Sequence, residues 1–391
     1  MISETKPLSG LVVADFTRIL SGPTAAMILS DLGAEVVKVE RPETGDDTRA
    51  WGPPFRENVS TYYLAANRGK RSVVLDLTCS RDIEVARNLI AESDVVLENF
   101  RPGAMEKLGL GYEIAKELNP SVIYCSISGF GSQGRGASIP GYDFIAQAAG
   151  GLMSITGAVE GEPMKVGVAL VDILVANHAL IAILAAHRRK AATGEGSHVE
   201  VNLLGSLLSS LANQGSAYVA GGEVPKRMGN IHPSIAPYEL LHAKDDAIAV
   251  AVGNDKQFLA LCGALGREDL AAEARYKTNS SRVNNRDNLR AELERSLQQL
   301  TAEDVLSRLE AAQVPSGPVN TISEAFQLAE HLGLEPIQKA NKGCSVPQIS
   351  PPFRFGGKAP QIQRDAPGLG EDDEYVRSWL GTFGRRDTES G

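Results

Sequence analysis

Asp172 stands in the most apolar run of the chain, Val166 to Ala186, which only Asn177 and His178 otherwise interrupt. A carboxylate between two apolar stretches admits two readings. At a strand–helix junction Asp is a common N-cap. The same residue can also serve as a nucleophile or base at the mouth of a sheet. The readings are compatible, because the N–H groups of a helix start favour an ionised carboxylate.

A second group of residues is basic. Arg18, Arg41, Arg49, Arg68, Lys70, Arg71, Arg101 and Lys107 all fall in or near segments that follow short apolar runs. Loops at the carboxyl ends of parallel strands are where α/β sheets bind ligands. Such clustering in an acidic chain suits a polyanion such as a nucleotide phosphate, and it equally suits solvated surface charge. The first loop runs Asp15-Phe16-Thr17-Arg18-Ile19-Leu20-Ser21-Gly22-Pro23 and places Arg18 near a helix start.

The string Gly129-Phe130-Gly131-Ser132-Gln133-Gly134 has GxGxxG spacing. It follows about the fifth strand rather than the first, Pro140 and Gly141 delay the next helix, and no acidic strand end lies twenty residues on. These features argue against a dinucleotide site and for a tight loop over a ligand or its own backbone. His178 reads as a core residue and His232 as a linker residue. Neither has a Ser or Cys partner by motif, and no pair has zinc spacing.

The elements that must position these groups are legible as pattern. Strands are predicted at 11–16, 34–40, 71–77, 94–100 and 121–128, with helices at about 81–92 and 103–118 and one after Pro23 that Gly33 can end. Apolar strands alternating with helices predict a parallel, doubly wound sheet. A long buried helix is expected over 171–190, a strand over 198–204 and a helix over 205–220. Residues 221–234 read as a linker. A smaller α+β domain is expected over 226–320, with strands at YELLHA and AIAVAVG and helices near 255–265, 284–299 and 301–313. The large domain then comprises 1–220 and a returning segment, 325–391.

The chain has 391 residues, is 43% apolar and 5% aromatic, and carries a formal charge of −9. That length suits two domains with largely aliphatic cores. The acidic balance argues against nucleic acid or an anionic membrane as partner. Cys79, Cys125, Cys262 and Cys344 are scattered, which predicts reduced cytosolic thiols and no metal site. The polar N-terminus lacks the apolar core of a signal peptide, and the run through Asp172 is not read as a membrane span.

Many segments together resemble the family III CoA transferases, the CaiB/BaiF group. The resemblance runs from DFTRILSGP and LGAEVVKVERPETGDDTR through NRGKRSVVLDL, ENFRPGAMEKLGL, SVIYCSISGFG and GYDFIAQAAGGL to VGVALVDI, TGEGSHVEVNLL, VPSGPVNTI and PPFRFGG. It implies a Rossmann-like large domain built from both chain ends, a smaller α+β domain between them, and an interlocked homodimer. It implies that Asp172 is the catalytic aspartate. CoA contacts map onto Arg18, Arg41, Leu75, Asn99, Phe100, Ala104, Lys107 and Tyr142. Lys107 replaces an Arg found in some relatives, so its phosphate contact is a point charge rather than a fork. Thr78 replaces a lysine near the adenine side. Coenzyme A thioester is then a substrate, with no permanently bound cofactor and a cytoplasmic location.

The chemistry fits a carboxylate nucleophile, which can itself become an activated acyl group. The implied reaction moves CoA from a short acyl-CoA to a carboxylic acid through a mixed anhydride and an aspartyl-CoA thioester. YKTNSSRVNNRDNL and PSGPVNTISEAF resemble succinyl-CoA:dicarboxylate enzymes and point to succinyl-CoA and a dicarboxylate. Two rivals remain. One is an α-methylacyl-CoA racemase, whose Gly-His-Asp motif is here Gly141-Tyr142-Asp143; a tyrosine of ordinary pKa is a poor base near neutrality. The other is a CoA-binding paralogue without catalysis.

Overall fold

The computed structural model describes residues 6–56, 58–341 and 346–383. Cys79, Cys125 and Cys262 are free thiols; Cys344 lies outside the described residues. By internal packing the chain forms two compact units. The first comprises residues up to Leu152, Val166–Glu223 and the chain from Glu335 onward; the second comprises Met153–Lys165 and Val224–Leu334.

Six strands build the sheet of the first unit: β1 (Val12–Asp15), β2 (Glu35–Glu40), β3 (Arg71–Val74), β4 (Val95–Glu98), β5 (Ile123–Ser128) and β6 (Ser197–Asn202). Their order is β3-β2-β1-β4-β5-β6, and every pairing is parallel. The predicted parallel, doubly wound sheet is therefore present. Its order reverses between β1 and β4, where open α/β sheets form their ligand crevice.

Alternation along each strand divides the apolar residues between two faces. Val13, Val36, Val95, Leu97, Ile123 and Cys125 face one core, with α1 (Ser21–Asp31) and the long helix at 170–193. Ala14, Val37, Val73, Val96 and Tyr124 face the other, with α2 (Ser80–Ala91) and the last helix, Asp373–Phe383, which contributes Val376 and Leu380. The chain end also closes the β3 edge. Asp372 accepts from the Ser72 N–H at 3.0 Å and Asp373 from the Val74 N–H at 2.6 Å, which removes unpaired donors from an exposed edge.

Several predicted elements change on folding. The helix expected over 103–118 is two, α3 (Ala104–Lys107) and α4 (Tyr112–Leu118). Gly109, with φ +69°, makes the break. The 198–204 strand ends at Asn202, whose side chain caps the following helix by accepting from Gly205 N–H at 2.7 Å. The helix expected over 205–220 divides at Leu211. The glycine string carries no helix start: Gly131 and Gly134 have positive φ, and a Cβ on Gly129 would fall 2.5 Å from the Gly141 Cα. Those glycines allow one backbone to cross another.

Helix α5 (Asp143–Ala149) and helix α6 (Leu170–Thr193) bring the candidate nucleophile into place. The second was expected to be buried. Only one face is: Val171, Val175, Ala176, Ala179, Ile183 and Ala186 pack inward, while Ile181 is 62% exposed. This is the one described helix long and apolar enough to cross a membrane, yet its inner face belongs to the sheet's core.

The second unit has an antiparallel sheet of β7 (Tyr238–His242), β8 (Ala247–Ala251) and β9 (Ser316–Pro318), with β8 central. Helices Asp255–Ala264, Arg286–Leu297 and Ala302–Ala311 supply its core partners. Arg282 is fully buried there. It donates to Ala236 O at 2.7 Å, Tyr276 O at 3.0 Å and Asp255 Oδ1 at 2.8 Å.

Candidate active site

The loops after β1 and β4 meet at the switch point. Arg18 N–H donates to Asn99 Oδ1 and Asn99 Nδ2 donates back to Arg18 O, both at 2.9 Å. The Arg18 guanidinium lies over the Phe100 ring, 4.7 Å from its centroid, a favourable cation–π placement. Burial and the neighbouring Arg41 lower the Arg18 pKa from its ordinary value.

This turn is strained. Ile19 has φ +70°, which a β-branched residue rarely adopts and which costs on the order of 1–3 kcal/mol. A buried ionic network holds it. Asp46 accepts from Ile19 N–H at 3.2 and 3.3 Å and pairs with Lys38 Nζ at 2.9 Å. Lys38 also donates to Thr17 O at 2.9 Å. Lys70 pairs with Asp15 at 2.9 Å. Both ion pairs have no solvent-exposed side chain.

The basic cluster is therefore only partly available to a ligand. Arg49 is held by Glu40, Arg68 by Asp31, Lys70 by Asp15, and Arg71 by Glu35 and Asp372. Arg41 pairs with Asp47. Of this cluster, Arg18, Arg101 and Lys107 have no carboxylate partner among the described residues, and the first two line a cavity of about 360 Å³.

That cavity gathers Arg18, Ser21, Asn99, Phe100, Gly129, Gly141, Tyr142 and Asp172. A smaller cavity, about 150 Å³, continues on the other side of Arg18 and Phe100 and is lined by Arg41, Leu75 and Thr78. Of the residues singled out in the sequence, the structure brings Arg18, Asn99, Phe100, Tyr142 and Asp172 to the first cavity and Arg41 and Leu75 to the second. Ala104 and Lys107, on α3, line neither.

Asp172 is not the N-cap of its helix. It is the third helical residue, and the capping acceptor comes from another helix. Asp143 Oδ1 accepts from Val171 N–H at 2.7 Å and Asp172 N–H at 3.3 Å. The Asp172 carboxyl is pushed up to about 7, first by burial and then by the nearby Asp143 charge; a hydrogen bond from Ser21 opposes the rise. A carboxylate raised to this range is ionised above neutrality and more basic than an exposed one.

Sequence reasoning missed three contributors. Ser21 is buried and bonds Asp172. Burial, and then the charges of Asp172 and Asp143, raise the Tyr62 phenol, and Trp51 packs edge-on against it at 5.2 Å. Asp143 was noticed only as part of a triplet. No local spacing links these residues to Asp172; they arrive from separate elements.

Residues 8–373 match the model of CoA-transferase family III. The chain is 41% identical to the succinate–glutarate CoA-transferase of Agrobacterium fabrum, over 99% of both chains. It is 39% identical to the succinyl-CoA:glutarate CoA-transferase of Homo sapiens, over 96% of this chain and 86% of that one. Among solved structures it resembles a CAIB/BAIF family protein from Brucella suis, with TM-score 0.85 and 43% identity over 96% of this chain and 100% of that one. On this similarity, extending through both units and the returning C-terminal segment, the chain belongs to CoA-transferase family III.

Proposed function

We propose that this CoA-transferase moves CoA from succinyl-CoA or a similar short acyl-CoA to a dicarboxylate, through covalent intermediates on Asp172. The observation that carries the reading is a raised, half-buried Asp172 carboxylate in the same cavity as the unpaired Arg18. The names of the glutarate enzymes among its relatives support the substrate class.

In this reading, an Asp172 oxygen attacks the donor thioester carbonyl. The C–S bond breaks and leaves an aspartyl mixed anhydride and CoA thiolate. The thiolate attacks the aspartyl carbonyl and expels the donor carboxylate, which gives the aspartyl-CoA thioester. The acceptor carboxylate attacks that thioester, and released CoA thiolate takes the acceptor acyl group and regenerates Asp172. Backbone amides of the loop around Gly129 and Gly141 stabilise the successive oxyanions. Burial of Asp172 protects the anhydride from water.

CoA lies across the two cavities, with Arg18, Arg41, Leu75, Asn99, Phe100 and Tyr142 as its contacts. Ala104 and Lys107 join this set through the family's motif, although they stand outside both cavities. The larger unit serves as a Rossmann-like CoA-binding domain, and the chain works in the cytoplasm as an interlocked homodimer. Exposed Phe144, Ile145, Ile181, Leu208 and Tyr218 support the dimer, because they are large apolar residues on helices that pack on one another in series.

The test is to incubate the protein with short acyl-CoA donors, trap with hydroxylamine and digest with trypsin. Asp172 is the sole carboxylic side chain in the peptide Val166–Arg188. A donor-dependent hydroxamate there supports the covalent mechanism and identifies the donor. Its absence for every donor, in protein that binds CoA, would favour a racemase or a non-catalytic paralogue; α-proton exchange in deuterated water separates those two.

A further inference from the structure

The Asp143 carboxylate has a place in the fold that the transfer mechanism alone does not use. It opens α5, yet its Oδ1 takes the first free N–H groups of α6, at Val171 and Asp172. Its Oδ2 accepts from Gln147 Nε2 at 2.7 Å. Gln147 is fully buried, and its Oε1 accepts from Val166 N–H at 2.9 Å. One relay therefore ties both the segment entering α6 and the first turn of α6 to α5. It also fixes a like charge beside the Asp172 carboxylate.

We propose that Asp143 is a positioning residue for Asp172: it clamps the start of α6 and places a negative charge whose repulsion is relieved when Asp172 is acylated. The inference rests on Asp172 being the nucleophile. Its physical basis is a change of charge. Free Asp172 is an anion next to an anion, whereas the mixed anhydride and the thioester are neutral at that position. The neighbouring carboxylate thus raises the free enzyme relative to the acylated enzyme and favours forward attack. Ser21 works in the opposite sense, because its hydroxyl bonds the ionised form. The ionisable groups facing Asp172 are Asp143 from α5 and Tyr62 from the helix Thr61–Asn67. Arg18, Asp47, Arg101 and Tyr142 share the cavity wall, and the adjacent helix Leu203–Ser210 has no ionisable side chain.

Position and charge can be separated. Asp143→Asn removes the charge but presents an amide N–H to the donating Gln147. Adding Gln147→Glu restores an acceptor for both that N–H and Val166 N–H, and moves the charge one residue along the relay. Acylation of the 166–188 peptide by succinyl-CoA is followed by hydroxylamine trapping from pH 5 to 9. In wild type, trapping rises with pH through a midpoint near 7. In Asp143→Asn the midpoint falls by on the order of one pH unit, and the rate on the alkaline plateau drops about tenfold. The double variant recovers most of the plateau rate while its midpoint stays below that of wild type. Ser21→Ala moves the midpoint upward. Unchanged midpoint and plateau in Asp143→Asn would overturn the proposal with the nucleophile intact, as would a double variant no faster than the single one. Absence of any adduct in wild type would instead overturn the Asp172 mechanism itself. Should Asp143→Asn not fold, the double variant, which keeps an acceptor for the residue-143 amide and for Val166 N–H, still decides the matter: a midpoint no lower than that of wild type would overturn the proposal.

Discussion

Two sets of desolvated carboxylates in the larger unit, the first buried and the second half-buried, respond in opposite ways. Under the Arg18 turn, Asp15, Asp46 and Glu40 are held below the usual carboxylate range, because Lys38, Lys70, Arg49 and nearby hydroxyls outweigh burial. At the other side of the cavity, Asp172 has no cation among its partners and meets Asp143 instead, so burial prevails and its carboxyl rises to about 7. The first set is scaffolding: matched charges that hold an unfavourable backbone turn. The second is the proposed nucleophile: a carboxylate left short of partners. Lys70 shows the limit of matching. Despite Asp15 at 2.9 Å, burial and repulsion from Lys38 bring it down to about 8.

The largest expected effect is on the reactive side. Asp172→Asn lowers transfer by at least about a thousandfold, as loss of a covalent nucleophile does, while acyl-CoA binding measured by calorimetry persists. Retained turnover would remove Asp172 from the reactive class. On the scaffold side, Lys38→Met leaves Asp15 and Asp46 short of a cation and costs about 3–5 kcal/mol. Urea unfolding reads that loss, and a change under about 1 kcal/mol would show that the network is not needed to hold the turn.

The two sets also give opposite pH linkages. The depressed carboxylates contribute stability that is present above their unfolded values, near 4, and lost as pH falls through the lower folded values. Asp172 has a raised folded value, so the folded state holds its proton more tightly and stability from this group falls as pH rises from about 4 to 7. Asp172→Asn is therefore expected to stabilise the protein at pH 8 by about 2–4 kcal/mol, seen as a higher Tm, with the gain vanishing near pH 4. An equal gain at both pH values would mean that ionisation is not its source.

Smaller effects sharpen the boundary between the sets. Arg18→Ala removes one of the two cavity arginines without breaking an ion pair, so KM for acyl-CoA should rise about tenfold to a hundredfold with kcat little changed. A fall in kcat alone would place Arg18 with the reacting groups. Tyr62→Phe, which removes a hydroxyl near both Asp172 and Asp143, should change kcat less than tenfold. A larger loss would make that phenol part of the chemistry.

The strands of the large sheet and the helices between them were readable because apolar periodicity is local. Pro23 does lie in the first turn of α1, and the strands YELLHA and AIAVAVG of the second unit are present. Short-range breaks were harder: Gly109 splits one predicted helix, and Asn202 ends a strand by capping the next helix. The basic cluster stayed ambiguous in the sequence for a different reason. Arg49, Arg68, Lys70 and Arg71 look like ligand-binding groups until folding brings their carboxylates, Glu40, Asp31, Asp15 and Glu35, against them. Arg282 is a similar case: the YKTNSSRVNNRDNL string that suggested a substrate class carries a fully buried arginine whose bonds are internal to its own unit.

The sequence by itself determined the alternation of elements, the parallel sheet, and the presence of an unusual carboxylate at Asp172, since all three follow from neighbours in the chain. Only the tertiary structure decided which charges are neutralised and which remain. Electrostatic pairing depends on distances of a few ångströms between residues tens of positions apart. So it is the fold that turns Asp143 into the cap of another helix, brings Ser21 to Asp172, leaves Arg18 unpaired, and thereby sets the proton affinity on which the proposed chemistry depends.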